Sequence, residues 1–250
     1  MFMCKVWIFG VLAMSLATSV IPQTSTAVDA SILCEIGQGK LASLSKSSLP
    51  ENAKKFIPTL LCEIARSWPD APLPVVFPAQ IEQETCISLT HKRCWSPYAE
   101  LKTSREYGFG LGQITVTKSF DNFTAAKRLD SSLKNWAWEN RYNATYQLRT
   151  MVLMDKFNYG KLSWAANAYE RMAATVAAYN GGLGGLLSDR GVCRSIPSCD
   201  ESYWFGHIEK TSKKAKTAVG GYRKSFFEIN REYVRNIMLK RGIKYSPYFE

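Results

Sequence analysis

The sequence is poor in the residues that build metal sites. Its histidines are His91 and His207, and no two cysteines have the Cys-x-x-Cys spacing of a structural zinc site. We therefore expect no metal. It also lacks an internal repeat, a convincing series of alternating strands, and a recognisable helix-turn-helix or zinc finger. We expect a mainly α-helical domain with at most a small sheet, and no nucleic-acid partner.

A long apolar run occurs at the N-terminus. Lys5 precedes an apolar stretch over residues 6–21, which is followed by the small residues Ser25, Thr26 and Ala27. This pattern is typical of a secretory signal peptide. The run is shorter than the roughly 20 residues that a spanning helix needs. We predict a signal peptide over 1–27, with an uncleaved anchor as the alternative, and a periplasmic or secreted protein that contacts membrane only through this segment.

The cysteines also favour export. Cys4 lies in the predicted signal, and an even number of cysteines remains, which in an exported chain favours disulfides over zinc. Proximity along the chain predicts the pairs Cys34–Cys62, Cys86–Cys94 and Cys193–Cys199.

Composition predicts a folded, basic protein. Hydrophobic residues make up 46% of the chain, charged residues 21%, and the net charge is +11. A basic exported protein is attracted to polyanions such as the bacterial envelope, although the same charge also serves general solubility.

The periodicity of apolar residues places the helices. Helical stretches are predicted over 32–68 with a break at Leu49-Pro50, and over 78–87, 142–157 and 164–180. A final amphipathic packing helix over 226–238 should stop at Gly242. The proline-rich residues 69–78 predict an extended connector, and residues 88–107 and 188–203 predict irregular loops.

Glu84 is the first candidate for chemistry. It lies near the end of the helix predicted over 78–87, where a carboxyl that faces a cleft loses solvent and gains a higher pKa. Such a group donates a proton as a general acid. Glu82 lies about 200° away around the helix and cannot face the same site. The alternative is that both are ordinary surface carboxylates.

Two further stretches could hold a ligand. The residues Gly108-Phe-Gly-Leu-Gly-Gln-Ile-Thr115 place glycines where backbone can approach a ligand closely, and Gln113 adds an amide. The alternative there is a hairpin or bulge. Tyr179 and Asn180 end a helix before Gly181 and Gly182, which suit a left-handed stop. They offer an aromatic face and an amide, or simply a buried tyrosine with a capping asparagine.

Taken in order, the three stretches resemble a known family. Glu84-Thr85, then Gly110-Leu-Gly-Gln-Ile-Thr115, then Ala178-Tyr-Asn-Gly-Gly182 is similar to the Glu-Ser, Gly-Leu-Met-Gln and Ala-Tyr-Asn-Ala-Gly motifs of the soluble lytic transglycosylase and goose-type lysozyme superfamily. The resemblance covers residues 78–185. This chain has threonine at 85, glycine at 112 and a different glycine order at 182. In these departures the chain resembles phage-borne cell-wall lysins.

The resemblance implies a fold and a reaction. The fold would be a lysozyme-like single catalytic domain over 28–250 with disulfide-stapled loops, and the protein would act as a monomer without an organic cofactor. The partner would be peptidoglycan glycan strands. Glu84 would protonate the oxygen between N-acetylmuramic acid and N-acetylglucosamine, then act as a base that forms a 1,6-anhydro ring. Gly110, Leu111, Gln113, Tyr179 and Asn180 would hold the glycan.

Two rival functions stay open. In a muramidase of the same fold, water replaces the 6-hydroxyl, and Glu106 is the candidate second carboxylate. A non-catalytic wall-binding protein would keep the groove without turnover. Anhydro ends on the products distinguish a lytic transglycosylase from a muramidase. Loss of wall digestion in Glu84→Gln distinguishes an enzyme from a wall-binding protein.

Overall fold

The computed structural model describes residues 41–213, 216–218 and 223–249. Within these ranges the protein is mainly α-helical and carries one small antiparallel sheet, which confirms the predicted fold class. The predicted signal over 1–27 and Cys34 lie outside the described residues, so the signal and the Cys34–Cys62 pair stay predictions. No helix in the described ranges is long and apolar enough to cross a membrane.

The first half of the described chain contains four α-helices and the sheet. Its elements are α1 (Leu41–Ser45), α2 (Glu51–Ser67), α3 (Val76–Thr85), β1 (Glu100–Lys102), β2 (Glu106–Phe109), β3 (Ile114–Thr117), α4 (Asn122–Ala126) and the 3-10 turns Ser131–Leu133 and Trp138–Asn140.

The second half is almost entirely helical. Its elements are α5 (Ala144–Gly160), α6 (Ala168–Gly181), α7 (Leu183–Arg194), the 3-10 turn Ile208–Lys210, α8 (Phe226–Arg235), a π-helical stretch (Asn236–Arg241), the 3-10 turn Gly242–Tyr245 and α9 (Ser246–Phe249).

Helix α6 runs through the core. Asn167 accepts a hydrogen bond from the backbone N–H of Glu170 and so caps its first turn. Every residue from Met172 to Ala178 is buried, and four of these seven are alanines, which let neighbouring helices approach closely. The predicted helix therefore exists, but it begins four residues later than residue 164. Gly182 has the predicted positive φ of 76°, with an extended ψ of 143°.

The sheet divides two environments. Its strands pair in the order β1-β2-β3, and the register places Leu101 beside Gly108 and Tyr107 beside Val116. Because side chains alternate across a strand, Glu106 and Gly108 share one face of β2 while Tyr107 and Phe109 share the other. Phe109 packs into a second hydrophobic cluster with Phe123 and Trp136, and the opposite face meets the main helical body.

Several predicted boundaries are wrong. Strand β1 lies within the loop predicted over 88–107, and α3 begins at Val76, inside the predicted connector. The chain does not stop being helical at Gly242, since this residue has φ −53° and ψ −41° and the helical path continues to Phe249. Residues 188–194 are not a loop, because α7 extends to Arg194 and only the segment after it is irregular. The predicted stop at Gly242 rests on one glycine, and the predicted loop over 188–203 rests on two cysteines. Neither residue type is sufficient to end a helix at these positions.

Two disulfides are present among the described residues. Cys86 bonds to Cys94 and Cys193 bonds to Cys199, as predicted. Disulfides of this kind are typical of oxidising compartments outside the cytosol. The first closes the loop that directly follows α3, and this position becomes important for the site.

Candidate active site

A cleft of about 590 Å³ lies between the end of α3, the face of the sheet that carries Glu106 and Gly108, the end of α6 and the start of α8. Glu84 and Glu106 both line it, together with three of the residues predicted to hold a ligand: Gln113, Tyr179 and Asn180. The three sequence motifs are therefore brought to one cleft. Gly110 and Leu111 do not line it.

Glu84 sits in the last turn of α3 and is half-buried at the cleft wall. The hydroxyl of Tyr233 donates a hydrogen bond to its Oε1 atom over 2.5 Å. No described residue donates to its Oε2 atom. Oε2 is therefore the oxygen that can carry a proton and meet a ligand in the cleft.

Burial raises the pKa of Glu84 to about 8. The hydrogen bond from Tyr233 lowers the pKa, whereas the negative charge of Glu106 raises it further. Loss of solvent outweighs the hydrogen bond, since a carboxylate needs more stabilisation than one hydroxyl provides. At pH 7 most of the Glu84 carboxyl groups carry a proton, as a general acid requires.

The segment after Glu84 fixes the end of α3. The hydroxyl of Thr85 donates to the carbonyl of Ile81 over 2.7 Å and accepts from the backbone N–H of Trp95 over 2.9 Å. Cys86 then forms its disulfide with Cys94. Thr85 thus stabilises the end of α3. The superfamily whose motifs this chain resembles carries serine at this position.

Glu82 faces away from the cleft, as the helix geometry predicts. It is fully buried, and its carboxylate accepts from Arg241 over 2.5 Å, Lys244 over 2.8 Å and Tyr245 over 2.6 Å. Burial acts to raise its pKa, but the hydrogen bonds from Lys244, Tyr245 and Arg241 outweigh burial and hold the pKa below its ordinary value. The alternative of two surface carboxylates is wrong for this pair.

Gly110 and Leu111 lie behind the cleft wall. Gly110 has φ +77°, and a Cβ atom built there would lie 2.3 Å from the side chain of Gln147. The backbone N–H of Leu111 donates to Gln147 Oε1 over 2.9 Å, and the Leu111 side chain is fully buried. The structure therefore places both residues in the support of the loop, and the contact with glycan predicted for them has no geometric basis.

Gln113 forms part of the wall itself. Its φ is +44°, and its Nε2 atom donates to the carbonyls of Ala99 and Gly110 over 3.0 and 2.8 Å. Its Oε1 atom is buried and has no hydrogen-bond partner among the described residues. Since Nε2 is committed to the protein, Oε1 is the atom of Gln113 with unused hydrogen-bonding capacity at the cleft.

Tyr179 spans the cleft floor. Its hydroxyl donates to the carbonyl of Gly112 over 2.6 Å, and a Cβ atom at position 112 would lie 2.7 Å from that hydroxyl. Such a distance is too short for real Cβ contacts, so the contact between Tyr179 and the loop explains why glycine stands here. The hydroxyl is used within the protein, which leaves the ring face for a ligand.

We expect Gly112→Ala to lower the free energy of unfolding by about 1–3 kcal/mol, the usual cost of overpacking. Urea denaturation measures the loss. Gly184→Ala is the matched control, because Gly184 lies in α7 with nothing within 4 Å of an added Cβ; alanine there should stabilise the helix slightly. Equal stability of Gly112→Ala and the wild type would contradict the close contact.

Asn180 is exposed at the cleft and is oriented by α8. Its Oδ1 atom accepts from Asn230 Nδ2 over 3.0 Å, and Asn230 also donates to the carbonyl of Ala177. Arg231 in turn donates to the side-chain Oδ1 atom of Asn230 over 2.9 Å. With its oxygen engaged, Asn180 presents its Nδ2 donors to the cleft.

A second buried carboxyl lies deeper in the protein. Asp155 of α5 is fully buried near Gln80 of α3, and neither side chain completes a hydrogen bond of normal geometry with a described residue. Burial raises the pKa of Asp155 well above its usual range, which outweighs the influence of Gln80. Burial therefore favours the protonated, uncharged form of Asp155 behind Glu84.

Helix α8 contributes residues that the sequence motifs did not reveal. Phe226, Ile229, Asn230 and Tyr233 all line the cleft, although the pattern over 226–238 predicts a packing helix. One signal was available in the sequence. Asn230 interrupts the apolar stripe, and a polar residue at such a position requires a buried hydrogen-bond partner. Nothing in the pattern distinguishes Tyr233 from a core tyrosine.

Tyr233→Phe should shift the pH dependence of activity. Tyr233 stabilises the ionised form of Glu84, so its loss raises the pKa of Glu84 above about 8 and moves the alkaline limit of activity to higher pH. We also expect kcat to fall about tenfold, the scale of one charge-assisted hydrogen bond. A pH–rate profile measures both. Tyr98→Phe, which changes an exposed tyrosine outside the cleft, should leave the profile unchanged. An unmoved alkaline limit in Tyr233→Phe would contradict the coupling.

The sequence matches no family model, and no curated protein is significantly similar to it. The motif resemblance therefore stays a hypothesis about the family, and the geometry of the cleft carries the functional argument.

Proposed function

We propose that the protein is a peptidoglycan lytic transglycosylase in which Glu84 serves as the single acid and base. One observation carries the chemical part of this proposal: a carboxyl with a pKa of about 8 lies in a cleft with one oxygen held by Tyr233 and the other open to a ligand. A proton donor of this kind suits the cleavage of a glycosidic bond. The substrate class rests on the resemblance of the three motifs.

The reaction proceeds in two steps in this proposal. Glu84 Oε2 protonates the bridging oxygen, and the bond from that oxygen to the muramyl C1 breaks. The resulting Glu84 carboxylate then accepts the proton of the muramyl 6-hydroxyl as its oxygen bonds to C1. The hydrogen bond from Tyr233 stabilises the carboxylate between the two steps, and Glu84 returns to its protonated form.

The other cleft residues support binding. Gln113 forms part of the wall on which a sugar lies, and Asn180 Nδ2 donates to carbonyl oxygens such as those of acetamido groups. The ring of Tyr179 offers an apolar face to the sugar. The predicted export signal and the two disulfides agree with a substrate outside the cytoplasm.

Glu106 favours a second candidate, hydrolysis by a muramidase. It lines the same cleft as Glu84 and is half-buried, so it is placed to activate a water molecule. Mass spectrometry of digested peptidoglycan separates the two reactions. Anhydro ends on the products support transglycosylation, whereas reducing ends that incorporate oxygen from solvent support hydrolysis. Intact glycan after prolonged digestion would favour a wall-binding protein without turnover.

A further inference from the structure

Arg93 is a cation in the catalytic cleft that the motifs do not include. It lines the cleft with Glu84 and Glu106 and lies in the loop that the Cys86–Cys94 disulfide closes directly after α3. A short loop tied at both ends has few conformations, so the position of Arg93 relative to Glu84 is fixed by the fold.

The guanidinium of Arg93 has no ionic partner in the described part of the chain. Its Nε atom is buried and makes no hydrogen bond there. By contrast, buried Arg149 pairs with Glu63 and buried Arg231 pairs with Asp189. Arg93 as a whole is only half-buried, and none of its guanidinium N–H groups bonds to a described residue, so the accessible part of this fork is available to a ligand in the cleft.

The chemistry of this group selects its ligand. A guanidinium presents a planar fork of N–H donors that matches the two oxygens of a carboxylate. The sugar rings and acetamido groups of a wall strand are neutral. The negative groups of such a strand are carboxylates, which occur on the lactyl ether of muramic acid and on the stem peptide.

We propose that Arg93 is a binding residue that recognises a carboxylate of the wall strand and makes the cleft prefer anionic strands over neutral ones. The inference rests on the proposed function for the identity of the substrate. It adds a specificity that Glu84, Gln113 and Asn180 do not supply, because those residues contact groups that every N-acetylated glycan carries.

Calorimetric titration of the Glu84→Gln variant tests this proposal without turnover. Three soluble ligands separate the sources of the carboxylate: a disaccharide with its stem peptide, the same compound with every carboxylate converted to an amide, and a peptide-free disaccharide whose carboxylate is the lactyl group. Arg93→Gln and Arg93→Lys are added to this background. Arg128→Gln, an exposed arginine outside the cleft, controls for the lost charge.

We expect amidation of the ligand to weaken binding about tenfold in the parent, the scale of one hydrogen bond between charged groups. Arg93→Gln should weaken binding of the anionic ligand equally and leave the amidated ligand unaffected, with Arg93→Lys between the two and Arg128→Gln unchanged. If Arg93 binds the lactyl carboxylate, the peptide-free disaccharide should bind as tightly as the anionic ligand. If Arg93 binds a carboxylate of the stem peptide, the peptide-free disaccharide should bind as weakly as the amidated ligand.

Several results would overturn the inference. They are equal binding of anionic and amidated ligands by the parent, an equal loss for both ligands in Arg93→Gln, and no binding of any ligand. Digestion of native wall by the protein with Glu84 intact is measured alongside. Discrimination by Arg93 without digestion overturns the proposed function alone, and digestion without discrimination overturns the inference alone.

Discussion

Glu84→Gln should reduce the release of glycan fragments from purified peptidoglycan by about 10³-fold, within the range that general acid–base catalysis contributes. Glutamine has nearly the same shape as glutamate and can still accept a hydrogen bond from Tyr233, but it cannot donate a carboxylic proton. The variant should therefore fold normally but lose the ability to cleave the glycan. Release of soluble muropeptides over time measures the loss, and near-normal release would remove Glu84 from the mechanism.

The same variant should change how stability depends on pH. The pKa of Glu84 is about 8 in the folded protein against an ordinary value of 4.5, so the folded state binds this proton more tightly than the unfolded state does. Its contribution to stability is complete below pH 4.5 and is lost as the pH rises to about 8. Glu84→Gln lacks this titration. It should gain stability relative to the wild type over that window, by an amount on the order of a few kcal/mol.

Urea denaturation of both proteins at pH 5 and pH 8.5 measures this difference. All other titrating groups are common to the two proteins, so the change in their difference reports Glu84. A constant difference across the window would show that Glu84 has an ordinary pKa.

Glu82→Ala should cause the largest loss of stability, about 3–5 kcal/mol, because it leaves the half-buried Arg241 and Lys244 and the buried hydroxyl of Tyr245 without their common acceptor. Glu82 holds Arg241, Lys244 and Tyr245, and through them the C-terminal segment against α3. Tyr245 also accepts a hydrogen bond from the indole of Trp95 over 3.1 Å, so the loss extends to the loop after α3.

The pH dependence of this loss has the opposite sign to that of Glu84. The pKa of Glu82 is lowered, so its contribution is present above its ordinary pKa of 4.5 and is lost as the pH falls through the folded-state value. The deficit of Glu82→Ala should therefore shrink in acid. Glu51→Ala is the control, since its ion pair with Lys54 is exposed on the glutamate side and contributes little. A loss in Glu82→Ala as small as that of the control would contradict a central role for this cluster.

The sequence predicted the site best where a motif combines local geometry with chemistry. Glu84 and Glu82 lie two residues apart on a helix, so elementary helix geometry separates the cleft carboxyl from the structural one, and the structure agrees. Tyr179, Asn180 and Gln113 reach the cleft because each stands near the end of an element, next to a turn of the chain.

The glycine loop contains contacts that its sequence motif does not predict. A glycine permits close approach of backbone to any neighbour, and the sequence does not reveal whether that neighbour is a ligand or the protein itself. At Gly110 the neighbour is Gln147, and at Gly112 it is Tyr179. Both contacts join residues more than thirty positions apart, which no local pattern encodes.

The residues from α8 and from the disulfide loop were not predicted for the same reason. Tyr233 lies 149 positions from Glu84 along the chain, and its hydroxyl reaches that carboxyl because α8 packs against α6 while the π-helical stretch after α8 packs against α3. Arg93 stands in a segment without periodicity. Its importance depends on its place in the cleft without an ion pair to any described residue, which becomes visible only when the chain is folded.

The central claim is that the carboxyl group of Glu84 holds its proton at neutral pH. Carbon-13 NMR of protein labelled at glutamate side-chain carboxyl carbons tests it most directly, with Glu84→Gln used to assign the resonance. We predict that the Glu84 carboxyl titrates with a pKa of about 8. Titration near its ordinary value of 4.5 would show a carboxylate in contact with water at pH 7, and such a group cannot serve as the proton donor.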